Sequence, residues 1–131
     1  MKHTTGMWVA LVALLSSRVA LGHSVEVRPV DLVDRYGRAV VLIATRTADG
    51  RLFQGTGFLV SSRGMVVTNF HVIQGATQVR VRLSNGRTYH IRRVVRSDSD
   101  QDLAILQIDG VGLPTVQLGD SGAVSVGARL Y

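Results

Sequence analysis

Between residues 39 and 108 each apolar run is only as long as a short strand, and most are closed by a turn signal. The turns are Ala48-Asp49-Gly50, Ser61-Ser62-Arg63-Gly64, Asn85-Gly86 and Asp109-Gly110. Runs of this length bounded by glycine-containing turns read as strands joined by hairpins, because helices need longer periodic stretches. The pattern is clearest at residues 79–83. Val79, Val81 and Leu83 alternate with Arg80 and Arg82, the period of a strand with one face in a core and one in water.

The remaining segments follow the same grammar. Val30–Tyr36 reads as a short amphipathic helical turn after Pro29, broken at Gly37. Ala39–Thr45, rich in β-branched residues, reads as a buried strand. Arg51–Val60 returns as a strand with Gly55-Thr56-Gly57 inside it, and interior glycines mark a bulge, a bend or a close backbone approach. Met65–Thr68 is the next strand, and His71–Gln74 a single helical turn ended by Gly75. After the alternating segment come strands at Thr88–Arg96 and Leu103–Ile108, the latter apolar on both sides. Thr115–Leu118 is short and extended, and Val124–Leu130 starts one more strand. About six short strands and one brief helix form an all-β fold, for which an antiparallel barrel is the economical closure, since it leaves no free edges.

The first 22 residues do not belong to that barrel. A basic start at Lys2 precedes the apolar run Met7–Leu15, with small residues at Ala20 and Gly22. These are the parts of an export signal, and nine apolar residues are too few to span a bilayer. Cleavage is expected between Gly22 and His23, giving a signal peptide over 1–22, a barrel domain over 23–131, and a periplasmic or secreted destination. The whole chain carries a formal charge of +6; without Lys2 and Arg18, 13 basic and nine acidic residues leave +4. Such a balance raises nucleic-acid binding. However, Arg80, Arg82, Arg87, Arg92, Arg93 and Arg96 lie in or beside alternating strands, so they read as solvated strand faces and no nucleic-acid partner is expected. Cysteine is absent, which excludes a thiol nucleophile, disulfides and cysteine-ligated metal.

Two segments carry chemistry. His71 follows Thr68-Asn69-Phe70 at a strand-to-helix corner, where an imidazole can face solvent on a rigid base. Histidine exchanges protons around pH 7 and serves as a general base when a carboxylate fixes its tautomer. Asp102 opens the apolar strand Leu103–Ile108, so a partly desolvated carboxylate in need of a partner is expected there. The two residues could meet across the end of a barrel.

In order, Gly55-Thr56-Gly57-Phe58-Leu59-Val60, Val67-Thr68-Asn69-Phe70-His71-Val72-Ile73 and Asp102-Leu103-Ala104-Ile105-Leu106 resemble the first barrel of HtrA-like trypsin-fold proteases. Val116-Gln117-Leu118-Gly119-Asp120-Ser121, then Val126-Gly127, are similar to that family's bridge between its two barrels. The resemblance covers Val30 to Tyr131. It implies the first antiparallel β-barrel of the trypsin-like two-barrel fold, with His71 as general base and Asp102 as its orienting carboxylate. It further implies an ATP-independent endopeptidase, commonly periplasmic, that cleaves unfolded or damaged proteins without metal or organic cofactor.

The family's nucleophile lies in a Gly-Asn-Ser-Gly-Gly segment of the second barrel, and residues 1–131 contain no such segment. The second barrel is therefore expected to be truncated, and the chain to be a fragment that is inactive alone. Gly119-Asp120-Ser121-Gly122 imitates a nucleophile motif, but Ser121 comes only 19 residues after Asp102, inside the bridge, and all four are turn residues. Asp98, Asp100 and Asp102 alternate like calcium-loop acids but lack the following glycine and distal glutamate. Neither His90, within a strand, nor His3 and His23, in or beside the signal, is a credible second base. Expected partners are unfolded protein or peptide substrates, and copies of the chain through an apolar barrel face left exposed. The alternative reading is an exported, non-enzymatic binding module that accepts a peptide strand along the Val79–Leu83 segment.

Overall fold

The structure is a computed structural model and describes residues 28–128; the expected export signal and its cleavage site, with residues 129–131, lie outside the described residues. Helix α1 spans Pro29–Tyr36, and proline at its first position suits a helix start because its missing N–H has no partner there. A 3-10 turn at Gly37–Ala39 leads into β1, Val40–Thr47. The other strands are β2, Leu52–Ser61; β3, Met65–Thr68; β4, Ala76–Leu83; β5, Thr88–Asp98; and β6, Leu103–Ile108. A four-residue helix, α2, Phe70–Ile73, lies between β3 and β4.

All pairings are antiparallel, in the order β1-β2-β3-β6-β5-β4, and β4 returns to β1 to close the barrel. The edge expected at Val79–Leu83 is therefore occupied. β1 pairs with β4 from Leu83 to Ala76, and β5 pairs with it over Arg80–Arg82. The first and third hairpins share one construction. The N–H of Gly50 donates to the carbonyl of Thr47, and that of Gly86 to the carbonyl of Leu83, each at a φ of +84°. These are three-residue loops whose last residue must be left-handed, which glycine adopts without steric cost.

Alternation places the core. Val41 and Ile43 from β1, Leu59, Val66, Val81, Leu106 and Ile108 are at most 2% exposed, while Arg80 and Arg82 face solvent. Arg87, Arg92, Arg93 and Arg96 are exposed as well. The strand at 39–45 is not buried on both faces. Val40 and Leu42 alternate outward at 44% and 38% exposure, because a barrel gives each strand only one inner face. Gly55 and Gly57 mark close approaches. The β1–β2 ladder runs unbroken past them, and the register shift in β2 falls between Leu59 and Ser61.

After β6 the chain leaves the sheet. Thr115–Leu118 forms no strand, although the N–H of Val116 donates to the carbonyl of Leu59 at 2.9 Å. The strand expected at Val124–Leu130 is absent over its described part. A 3-10 turn covers Ser121–Ala123, and residues 126–127 form a turn with Gly127 at a φ of +89°. A strand persists only against a partner, and the closed barrel offers this segment no free edge.

The register makes adjacent positions on β1 respond differently. Ile43→Ala is expected to cost about 2–5 kcal/mol in urea unfolding, and Leu42→Ala only about 0.5 kcal/mol. Equal losses would mean that the strand faces are not those described.

Candidate active site

The pairing of β3 with β6 positions the chemistry. Its register sets Met65 opposite Gln107 and Thr68 opposite Ala104. In an antiparallel pair the end of one strand lies beside the start of the other. The residues just after Thr68 are therefore neighbours of those just before Ala104. His71 and Asp102 are separated by 31 positions in sequence and brought together by four ladder pairs. Thr68 anchors this corner: it is buried, and its hydroxyl donates to the carbonyl of Thr56 on β2 at 2.8 Å.

Gly55 then lets α2 seat on the barrel end. A Cβ at Gly55 would come within 2.5 Å of a Val72 methyl, so only a residue without one allows Val72 to bury there. With Val72 turned into the barrel, the preceding His71 stands at the surface with its side chain 66% exposed.

Both carboxylate oxygens of Asp102 are engaged by His71. The main-chain N–H of His71 donates to Oδ1 at 2.8 Å, and its ring Nδ1 lies 2.6 Å from Oδ2; because an ionised carboxylate only accepts, the proton of that second contact is assigned to Nδ1. These distances are short, as expected when the acceptor is ionised. The main-chain N–H is the largest cause holding the Asp102 carboxyl below its ordinary value of 3.8, followed by the ring N–H. The sequence pattern suggested a partly desolvated carboxylate, but the Asp102 side chain is 42% exposed. Hydrogen bonds, and not burial, therefore set its charge state. With its proton on Nδ1, a neutral His71 presents Nε2 as an acceptor, which is the form a general base requires.

Asp102 has a φ of +51°, and is the sole non-glycine residue with a positive φ among those described. Its carbonyl accepts a hydrogen bond from the side-chain amide of Asn69 at 3.1 Å. A groove of about 530 Å3 runs beside His71, lined by residues that include Asp49, Arg51, Phe53, Val72 and Gln74. Arg51 pairs with Asp49 at 2.6 Å on one wall.

The remaining candidates lie elsewhere. Asp120 accepts from the N–H of Gly122 at 2.9 Å, so Gly119-Asp120-Ser121-Gly122 is a turn, and no hydrogen bond joins Ser121 to His71 among the described residues. His90 is exposed on β5 opposite Arg80. The carboxylate of Asp98 accepts from the N–H groups of Asp100 and Gln101, shaping the turn before Asp102. Among the described residues no three histidine, aspartate or glutamate side chains are grouped as a metal site would need.

Comparison with known proteins identifies the family. The family model of the trypsin-like peptidase domain matches residues 55–131. The chain belongs to this family. Over 73 residues it is 45% identical to the "Probable periplasmic serine endoprotease DegP-like" of Pseudomonas savastanoi pv. phaseolicola, and 41% identical to the protein of that name in Halomonas elongata. Each match covers 56% of this chain but only 15% of the relative. Among solved structures, the serine endoprotease from Yersinia pestis superposes with a TM-score of 0.61 at 38% identity, over 66% of this chain and 31% of that one. The HtrA-type protease AlgW, solved with a tripeptide, gives 0.66 at 36% identity, over 72% and 31%. The barrel is thus the N-terminal barrel of an HtrA-like, trypsin-like protease domain.

Within this trypsin-like barrel, sequence reasoning named His71 and Asp102 and gave Asn69 no role. The asparagine's partner is a backbone carbonyl 33 positions away, and residue type does not advertise such a contact. The state of Asp102 also gives the contact a pH dependence. A carboxyl whose pKa is lowered in the folded chain favours folding above its unfolded value, and that contribution fades as pH falls through the folded value. The Asp102 carbon resonance is therefore expected to titrate with a midpoint below 3.8, and His71→Ala should move it upward. A midpoint at or above 3.8 would contradict the hydrogen bonding described.

Proposed function

We propose that this chain supplies the general base and its orienting carboxylate to an exported serine endopeptidase that acts on unfolded or damaged polypeptides in the periplasm. The observation that carries this reading is the contact from His71 Nδ1 to Asp102 Oδ2, 2.6 Å long, on a barrel of the trypsin-like family. The relatives carry the name "Probable periplasmic serine endoprotease DegP-like", which supports the compartment and the reaction class. They are also far longer than this chain, so the serine and its oxyanion donors are proposed to come from outside residues 1–131.

The chemistry is acyl transfer. A serine hydroxyl attacks the peptide carbonyl carbon while its proton passes to Nε2 of His71, giving an imidazolium that the Asp102 carboxylate stabilises. The tetrahedral intermediate collapses, the C–N bond breaks, and the same proton moves from Nε2 to the leaving amine. Water then repeats the sequence on the acyl-enzyme, with His71 again taking and returning a proton. The groove beside His71 offers both an exposed apolar side chain, Phe53, and a charged wall, at Asp49 and Arg51, which suits a polypeptide of mixed sequence. The rival reading, a non-enzymatic binding module, relied on a strand edge that β1 and β5 occupy. Val40, Leu42 and Phe58, exposed together on the outer face of β1 and β2, are the residues we assign to self-association.

Residues 23–131 alone are expected to leave unfolded casein intact, because loss of the nucleophile costs on the order of 10⁶ in turnover in a comparable triad. A complete protease domain built on this barrel should cut casein, and His71→Ala should lower its kcat by about 10⁴-fold or more. Robust cleavage by residues 23–131, abolished by His71→Ala, would overturn the proposal.

A further inference from the structure

We infer that Asn69 is a positioning residue, whose side-chain amide holds Asp102 in its left-handed conformation and thereby aims the carboxylate at His71. This inference rests on the reading of His71 and Asp102 as a base and its orienter. Asn69 occupies the N-cap position of α2, where an asparagine side chain ordinarily accepts from the helix's own N–H groups. Here it makes no such bond. Its Nδ2–H instead crosses to the β5–β6 turn and donates to the carbonyl of Asp102 at 3.1 Å.

The geometry explains why that bond matters. Asp102 is followed directly by β6, whose first pairing is Leu103 with Asp98, so the sheet holds the chain from Leu103 onward. On its other side, its N–H reaches the carbonyl of Ser99 at a long 3.4 Å. Between these ends the residue sits at a φ of +51°, in the left-handed region that aspartate tolerates better than most residues but that still lies above the extended conformation unless its surroundings favour it. Turning the Asp102 backbone to negative φ would swing Cβ, and with it the carboxylate, away from the two N–H groups of His71. The Asn69 amide is the one side-chain donor to the Asp102 backbone among the described residues. Asn69 is two residues before His71, so the same corner carries both the ring and the clamp that aims its partner. An exposed asparagine in this place thus acts on the base through the carboxylate, with no contact to the ring required.

The test is the tautomer of the neutral His71 ring, read by long-range proton–nitrogen correlation spectra of the full 131-residue chain at a pH above the imidazole transition. The unmodified chain should show the proton on Nδ1 as the major form. Asn69→Ala should move the major form to Nε2, while the amide fingerprint of β1–β6 stays in place. Asn69→Asp keeps the size and capping preference of the residue but removes the donor, and should do the same. It also serves if Asn69→Ala does not fold. Asp102→Asn separates the two claims. If Asp102→Asn releases the Nδ1 tautomer and both Asn69 variants leave it intact, the positioning role is overturned while the base–carboxylate reading stands. If the tautomer is unmoved even in Asp102→Asn, the underlying reading fails.

Discussion

The ladder between β3 and β6 runs from Met65 opposite Gln107 to Thr68 opposite Ala104, and the contact between His71 and Asp102 begins where it stops. Everything functional in the chain depends on that register. A slip by one residue would turn Val66 and Leu106 out of the core and move the strand ends past each other. The core resists such a slip, because Ile43, Leu59, Val66, Val81, Leu106 and Ile108 are all fully buried and come from five different strands. Packing thus fixes register, and register fixes the distance between His71 and Asp102.

Hydrophobic burial and electrostatics are spatially divided. The barrel interior contains almost no polar side chains, and the buried Thr68 has its hydrogen bond satisfied within the fold. Charge sits outside the barrel, on its solvent faces and loops. The ion pairs of Arg28 with Asp31, Arg51 with Asp49 and Arg92 with Asp109 are all exposed, and water screens such pairs to small contributions. The His71–Asp102 pair differs in geometry and not in burial, since two N–H groups of one residue converge on one carboxylate. Its half-exposed position means that covering this mouth with further protein would strengthen the same contacts, as electrostatic attraction grows when water is excluded.

Much of this was legible in the residues alone. The alternation at Val79–Leu83 and the turns at Ala48-Asp49-Gly50 and Asn85-Gly86 specify strands and hairpins through local sterics, and they fold as read. His71 and Asp102 were legible because a histidine at a strand-to-helix corner and an acid opening a strand are local patterns set inside an ordered resemblance. What could not be read depends on partners distant in sequence. Residues 39–45 look doubly buried because Val40 and Leu42 are apolar, yet the barrel has only one inside. Val124–Leu130 has strand composition but no edge to join over its described residues. The exposure of Asp102 and the bond from Asn69 follow from how two loops meet, which no period or spacing encodes.

The central claim is that His71, oriented by Asp102, activates a serine that lies outside this barrel. Labelling a complete protease domain built on this barrel with a fluorophosphonate probe, which reacts with base-activated serines, tests it most directly. One modified serine is expected, located by peptide mass mapping outside residues 1–131, with labelling lost in His71→Ala. Modification of Ser121, or labelling that persists unchanged in His71→Ala, would contradict it.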